Sequence, residues 1–438
     1  MPENAISKIL AEKSPERRAQ LAKEFQESEE FKESEAGSLL AALQKEAFKP
    51  GTHFFEIEVI PGEKKRLVVD IPGSYDRTKP TPLILCYHPS GGGAQGTIGM
   101  VRHGLRDSVK DFILAGLDDA GPYNIDSKRS WKPETRTMLR FLKQTFSINS
   151  NRLYLSGFSQ GAYAVWSNAA YFGDEFAAGH SSGATFDAAP EIPGLWDTLL
   201  KGTKHTPVLY TWGDQDTLQV FGIDIQTITG TIDKLNPTIA GKCQQLGLPH
   251  VAKEVKGAGH TYLFPTECKP FFEMVRGPLP TEIDQSFRYI NQGRVAWVEP
   301  LKWEGEHWGL GPRFINQKTG ETKEQAFSRM LLPLLANVKA KRSGNRIDIE
   351  TRHVGELVIW LSKDMVDWNE PMEVYWNGSA KWKGKLEPSL AICLNQFERT
   401  QDADRLWWAG LRLPADSKAR PISDDEVLPE LVWERPGQ

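Results

Sequence analysis

The residues of this chain best suited to chemistry are a serine flanked by glycines, Gly157-Phe158-Ser159-Gln160-Gly161, followed by Asp214, Asp216, His250 and His260. A serine hydroxyl is a weak nucleophile at neutral pH. It needs a base to take its proton, a carboxylate to orient that base, and N–H donors for the oxyanion that forms on the attacked carbonyl. The pentapeptide alone recurs by chance, so its setting carries the weight. Residues 152–156 form a short apolar run of strand type, and helical spacing begins at Gln160. A strand reversing into a helix so abruptly pinches the backbone at Ser159. Glycines two positions away on each side remove side chains that would collide, and the first N–H groups of the helix point at whatever the serine attacks.

The other groups must then sit at the carboxyl ends of neighbouring strands. The run 207–212 leads into Gly213-Asp214-Gln215-Asp216, where Asp216 is far enough along to reach a histidine and Asp214 reads as a turn-former bonding its own backbone. The order serine, acid, histidine leaves His250 and His260 as bases. His250 opens a strand, at the wrong edge of a sheet. His260 follows Gly257-Ala258-Gly259, a flexible turn at the correct edge, and is the predicted base. For the oxyanion, one donor is the N–H of Gln160. The second comes from the loop after Tyr87, where Pro89 has no N–H and Ser90 or Gly91 must supply it. His88 reads chiefly as a brace for that loop. His88, His180 and Ser181 are also candidates for lining the substrate pocket. No Gly-Lys-Ser/Thr follows Gly91–Gly93, which argues against a phosphate cradle.

The elements that must position these groups are strands alternating with helices. Two strands between 53 and 71 flank a Pro61-Gly62-Glu63 turn, and buried strands follow at 83–87 and 112–117, with a helix at 133–146. After the elbow come strands near 176–179, 207–212 and 250–255. The pattern predicts a mostly parallel sheet with helices on both faces. Before it, residues 1–50 read as surface helices starting near Ser14-Pro15 and at 38–48. Beyond about Pro278 the character changes: ten of the 14 tryptophans lie there, and strand patterns dominate. Strands are expected at 346–351, 356–361, 372–376, 380–386 and 405–413, with Asn377-Gly378 as a hairpin turn. The expected organisation is an N-terminal helical segment (1–50), a catalytic domain (51–278), a connector or first part of a second domain (279–340), and a C-terminal β-rich, sandwich-like domain (341–438).

With these residues in place, 50–278 resembles an α/β-hydrolase. The elbow is similar to that of the phospholipase/carboxylesterase and dienelactone-hydrolase branch, and the 88–93 loop resembles that of esterase and polyester-depolymerase relatives. The resemblance implies a doubly wound α/β sheet and Ser159, Asp216 and His260 as the triad. The chain departs from the His-Gly-Gly-Gly pattern by having Pro89-Ser90 after the histidine. Its C-terminal part is only distantly like β-rich tails of some bacterial hydrolases.

The expected function is a serine hydrolase that cleaves carboxylic esters, small or polymeric, through an acyl-enzyme, with no cofactor or metal. A serine peptidase of prolyl-oligopeptidase type shares the triad order, but no propeller repeats are seen before the hydrolase part. A polysaccharide-binding protein using its tryptophans, with a weak or inactive hydrolase half, is the third reading. The 438 residues suit two domains plus an appendage, and 39% hydrophobic with 25% charged residues is an ordinary globular composition. A net charge of −4 gives no reason to expect nucleic acid. No apolar run approaches the roughly 18 residues a membrane span needs. The N-terminus shows no secretory signal, which suits either a cytoplasmic protein or an exported one already processed. Cys86, Cys243, Cys268 and Cys393 lack metal spacing. Cys243 and Cys268 could pair in an oxidising compartment, although spacing alone does not establish it.

Overall fold

The computed structural model describes residues 2–32, 36–41, 43, 45–60, 62–118, 132–186, 192–221, 228–306 and 315–428. Three helices come first: α1 (Pro2–Ala11), α2 (Pro15–Gln26) and α3 (Ala36–Ala41). Helix α2 starts where Ser14-Pro15 predicts. The Ser14 hydroxyl accepts the Arg17 N–H at 3.2 Å, and Pro15 occupies a first-turn position that needs no N–H. The helix expected at 38–48 is shorter than that, since residues 45–49 are not helical.

The central sheet is built from β1 (Gly51–Ile60), β2 (Glu63–Ile71), β3 (Thr81–Tyr87), β4 (Ile113–Leu117), β5 (Ile148–Phe158), β6 (Ala178–Ser182), β7 (Val208–Gly213) and, after the small hairpin β8 (Gln219–Phe221) and β9 (Ile228–Thr231), β10 (Val251–Val255). Its spatial order is β1-β2-β4-β3-β5-β6-β7-β10. Strand β2 runs antiparallel to β1 and β4, and every pairing from β4 across to β10 is parallel. This is the α/β-hydrolase fold. The helices between strands are α4 (Ala94–Leu105), α5 (Lys132–Thr145), α6 (Gln160–Tyr171), α7 (Leu195–Leu200), α8 (Ile232–Gln245) and α9 (Cys268–Phe271).

Inner strands of the sheet are covered on both faces, which is why β3, β4 and β7 are buried along their whole length and read as largely apolar runs. Along β3, Leu83 and Leu85 face the same core as Leu142 of α5, Val165 of α6, Leu199 of α7 and Ile239 of α8. Ile84 and Cys86, between them in sequence, pack with Ile98 and Val101 of α4 and Phe271 of α9. The same division separates two cysteines: Cys243 belongs to the first core and Cys268 to the second. All four cysteines are free and buried, so the disulfide considered for Cys243 and Cys268 is not formed.

The second half contains β11 (Glu282–Phe287), β12 (Val298–Trp303), α10 (Lys323–Leu331), β13 (Ala336–Ser343), β14 (Arg346–Arg352), β15 (Val354–Leu361), β16 (Met372–Trp376), β17 (Ser379–Gly384), α11 (Leu390–Thr400), β18 (Ala409–Pro414) and β19 (Arg420–Pro421). They form a five-stranded sheet, β11-β13-β14-β16-β17, and a four-stranded one, β12-β15-β18-β19. Strand β11 thus lies in the first of these sheets and β12 in the second. Asn377 and Gly378, at φ +48° and +78°, make the hairpin turn expected of them. Five of the C-terminal tryptophans, Trp297, Trp360, Trp376, Trp407 and Trp408, are buried.

Helix α11 was not foreseen, and it is what holds the N-terminal helices. Ile6, Ile9, Ala22, Phe25 and Leu40 pack against Leu390, Leu394 and Phe397. The Gln26 side chain accepts the Leu390 N–H at 2.7 Å and donates to the Pro388 carbonyl at 2.9 Å, satisfying backbone groups at the start of α11. The two halves of the chain meet across buried charges. Arg276 donates to Asp402 at 2.6 Å, and Arg405 donates to the carbonyls of Asp174 at 2.6 Å and Gly277 at 2.8 Å. Burial opposes ionisation of Asp402, but Arg276 and Lys143 outweigh it and hold the carboxyl well below the usual range.

Candidate active site

Strand β5 ends at Phe158 and α6 begins at Gln160, leaving Ser159 alone to make the reversal at φ +53°, ψ −118°. A non-glycine residue there stores strain of about 1–3 kcal/mol, which the surrounding packing must impose. The two glycines explain how the turn closes. A Cβ on Gly157 would lie 2.2 Å from the Gly161 carbonyl oxygen, and one on Gly161 would lie 2.1 Å from that of Tyr87. Neither position tolerates a side chain, and the second contact shows that the start of α6 rests against the end of β3. The Ser159 N–H is held by the Ser182 carbonyl at 2.9 Å.

Three side chains expected to converge do so. The His260 Nε2 lies 2.9 Å from the Ser159 Oγ, and its Nδ1 lies 2.9 Å from the Asp216 Oδ2. Asp216 is 1% exposed and His260 28%, so the chain of three runs from the interior to the surface. The other Asp216 oxygen accepts the Leu218 N–H at 3.3 Å. A carboxylate can only accept from Nδ1, so that nitrogen carries the ring proton and Nε2 presents its lone pair to the serine. Asp214 differs from expectation: its Oδ1 takes the Gly257 N–H at 2.7 Å, joining the loop of the acid to the loop of the histidine. The Gln215 N–H adds a bond to the Ala258 carbonyl at 2.9 Å. Gly213 permits the approach, since a Cβ there would lie 1.9 Å from that carbonyl oxygen.

The loop after β3 carries the remaining candidates. Pro89 to Gly92 is a turn closed by the Gly92 N–H on the Pro89 carbonyl at 2.9 Å, with Gly91 at φ +70°. The His88 Nδ1 donates to the Pro89 carbonyl at 2.8 Å, so its ring braces the loop. Ser90 and Gly91 are exposed at the tip. Gln160 is the first residue of α6, where a backbone N–H has no intrahelical acceptor.

Two of the candidates for the substrate pocket lie below it. His180 and Ser181 are both fully buried, because β6 is an inner strand covered on both faces. Ser181 turns toward α6 and donates to the Ala162 carbonyl at 3.3 Å. His180 turns the other way, with Ser156 Oγ at 3.3 Å and Thr211 Oγ1 at 3.4 Å, and burial pushes its pKa down to about 3. It is a neutral, sealed imidazole. His250, set aside above, lies at the opposite end of the sheet, where its Nδ1 accepts the Val208 N–H at 3.1 Å.

Comparison with known proteins adds likenesses of fold only. No family model matches the chain, and no curated protein does. Among solved structures it is similar to a thermostable esterase at 16% identity and a TM-score of 0.40, over 51% of this chain and 63% of that one. It is similar to an S-formylglutathione hydrolase from Staphylococcus aureus at 15% and 0.38, over 51% and 96%. A dipeptidyl peptidase 4 of Porphyromonas gingivalis aligns at 13% and 0.38, over 52% and 36%. The chain therefore spans less than two thirds of the esterase and about a third of the peptidase.

Sequence reasoning missed the residues that hold the histidine from behind. The Tyr262 hydroxyl lies 2.6 Å from Ser156 Oγ, and its ring stacks on Phe158 at 5.4 Å and 15°. Phe158 in turn lies 5.0 Å from the His260 ring. Phe264 packs over Gly104 of α4, where a Cβ would lie 2.3 Å from the ring. The alternation of Tyr262 and Phe264 just after His260 is a signal that could have revealed this packing. Among the described residues no cluster of His, Cys, Asp and Glu could hold a metal, and no helix is long and apolar enough to cross a membrane.

Proposed function

We propose that the protein is a serine hydrolase that cleaves carboxylic esters through an acyl-enzyme. The observation that carries this reading is the unbroken chain from Asp216 through His260 to Ser159, with 2.9 Å at each link, at a strained strand-to-helix turn. As the Ser159 Oγ bonds to the substrate carbonyl carbon, its proton moves to His260 Nε2 and the carbonyl electrons move onto oxygen. Asp216 stabilises the imidazolium and keeps its plane. The oxyanion is met by the Gln160 N–H and by an N–H of Ser90 or Gly91, supported by the contact of α6 with the end of β3. Collapse breaks the bond to the alcohol oxygen, which takes the proton from Nε2. Water then repeats the sequence on the acyl-enzyme, with His260 as base, and releases the acid.

The buried tryptophans argue for a core rather than a sugar-stacking surface in the C-terminal half. The reading is tested by hydrolysis of short p-nitrophenyl esters by wild type and Ser159→Ala. Loss of the nucleophile should lower kcat by about 10⁶-fold. Equal rates in the two proteins would end the assignment. Esters and amides bearing the same acyl group, assayed side by side, separate an esterase from a peptidase: the account expects the ester to be turned over and the amide to be left.

A further inference from the structure

We propose that Ser182 is a positioning residue for His260, clamping the serine-bearing and histidine-bearing segments to one another. The inference rests on the hydrolase reading above. Ser182 is the last residue of β6, fully buried, and stands in register with Phe158 on one side and Thr211 on the other. Its carbonyl holds the Ser159 N–H at 2.9 Å. Its hydroxyl accepts the Leu263 N–H at 3.0 Å and donates to the Thr261 carbonyl at 3.4 Å. One residue thus fixes the backbone of the nucleophile and the strand of chain leaving the base.

The need for such a clamp follows from the loop. His260 comes after Gly257-Ala258-Gly259, whose two glycines leave the backbone free to swing. On the N-terminal side the loop is tied by Asp214 to Gly257 and by Gln215 to Ala258. On the C-terminal side, Ser182 holds the main chain, and Tyr262 anchors its hydroxyl on Ser156. Gly183, at φ +66°, completes the seat. A Cβ there would lie 3.2 Å from His260 Cε1 and 3.0 Å from the Phe158 ring, so the imidazole packs close against Gly183. Without the Ser182 hydroxyl, the half-buried Leu263 N–H loses its acceptor and His260 can drift from Ser159. Misplacement by about 1 Å is enough to cost on the order of 10²-fold in rate.

Wild type, Ser182→Ala, Tyr262→Phe and Ser159→Ala, all as the full chain, should be compared on a short p-nitrophenyl ester. In parallel, the downfield proton NMR signal of the His260 Nδ1–H bonded to Asp216 reports the orientation of the ring without requiring turnover. The expected result for Ser182→Ala is a fall in kcat of about 10- to 100-fold, KM within twofold of wild type, and a His260 signal broadened by exchange with water. Tyr262→Phe should show the same pattern more weakly. Wild-type kcat and a wild-type signal in both folded variants, with Ser159→Ala inactive, would overturn the clamp and leave the hydrolase reading standing. A wild type with no Ser159-dependent turnover would remove that reading, and the NMR signal alone would then decide whether Ser182 orders the ring. Should Ser182→Ala not fold, Tyr262→Phe decides, and an unchanged kcat and signal there overturn the proposal.

Discussion

Strand β10 has a histidine at each end, and the two are chemically opposite. Just before the strand, His250 accepts the Val208 N–H on Nδ1 and donates from Nε2 to Thr203 Oγ1 at 2.6 Å, with its ring edge-on to Trp166. Beyond the strand, His260 gives its Nδ1 proton to Asp216 and turns Nε2 toward Ser159. Both nitrogens of His250 are committed to the protein's own groups, and burial pushes its pKa down to about 3. It can neither take nor give a proton near neutrality. What sits opposite Nδ1 decides the role: a backbone donor makes a structural imidazole, and a carboxylate makes a base.

Substitution should split the two cleanly. His260→Ala is expected to lower kcat by about 10⁶-fold while leaving the thermal midpoint close to wild type, since the side chain is partly exposed. His250→Ala should do the reverse, with kcat retained and stability lowered by about 2–4 kcal/mol as the Val208 N–H loses its acceptor and a cavity opens. Urea titration and ester kinetics on the same preparations check both. If His250→Ala abolished turnover while remaining folded, the contrast between the two ends of β10 would be wrong.

A finer test changes only the group opposite Nδ1. Asp216→Asn can offer an N–H where a carboxylate accepted, which favours the tautomer that points a proton at Ser159, and kcat should fall by about 10⁴-fold. A rate within tenfold of wild type would show that Asp216 does not set the tautomer. A change in slope rather than in turnover is expected in acid. His250 and His180 both have folded pKa values near 3, below the ordinary value near 6.5. Above pH 6.5 both states are neutral and the stability is intact. As pH falls toward about 3 the unfolded chain takes up protons that the folded protein refuses, so each histidine costs about 1.4 kcal/mol per pH unit. In His250→Gln one of these two slopes should disappear between pH 6 and 4, and identical slopes by denaturant titration would contradict the burial of that ring.

The candidate site was readable in the sequence where the proposed chemistry demands a particular residue at a particular strand end. Ser159 between glycines, Asp216 beyond β7 and His260 beyond β10 are such positions, and the structure brings them together. The inner strands were readable for a related reason, since burial on both faces makes them largely apolar runs. His180 and Ser181 were misplaced because their register along β6 depends on where that strand stops. It runs to Ser182, which keeps both beneath the surface. Ser182 and Tyr262 escaped notice because they act through partners more than 80 positions away in one case and 100 in the other. Local pattern contains nothing of that kind. The same holds for the N-terminal helices, whose amphipathic faces announce burial but not that α11, some 360 residues later, is what covers them. The five-stranded sheet also includes one parallel pair, β14 with β16, and nothing in the strand patterns specifies that direction.

The most direct test of the account is to treat the full-length protein with a fluorophosphonate and locate the adduct by intact mass and peptide mapping. The account predicts a single adduct on Ser159, absent in Ser159→Ala and formed far more slowly in His260→Ala. An unlabelled wild type, or an adduct on any other residue, would contradict it.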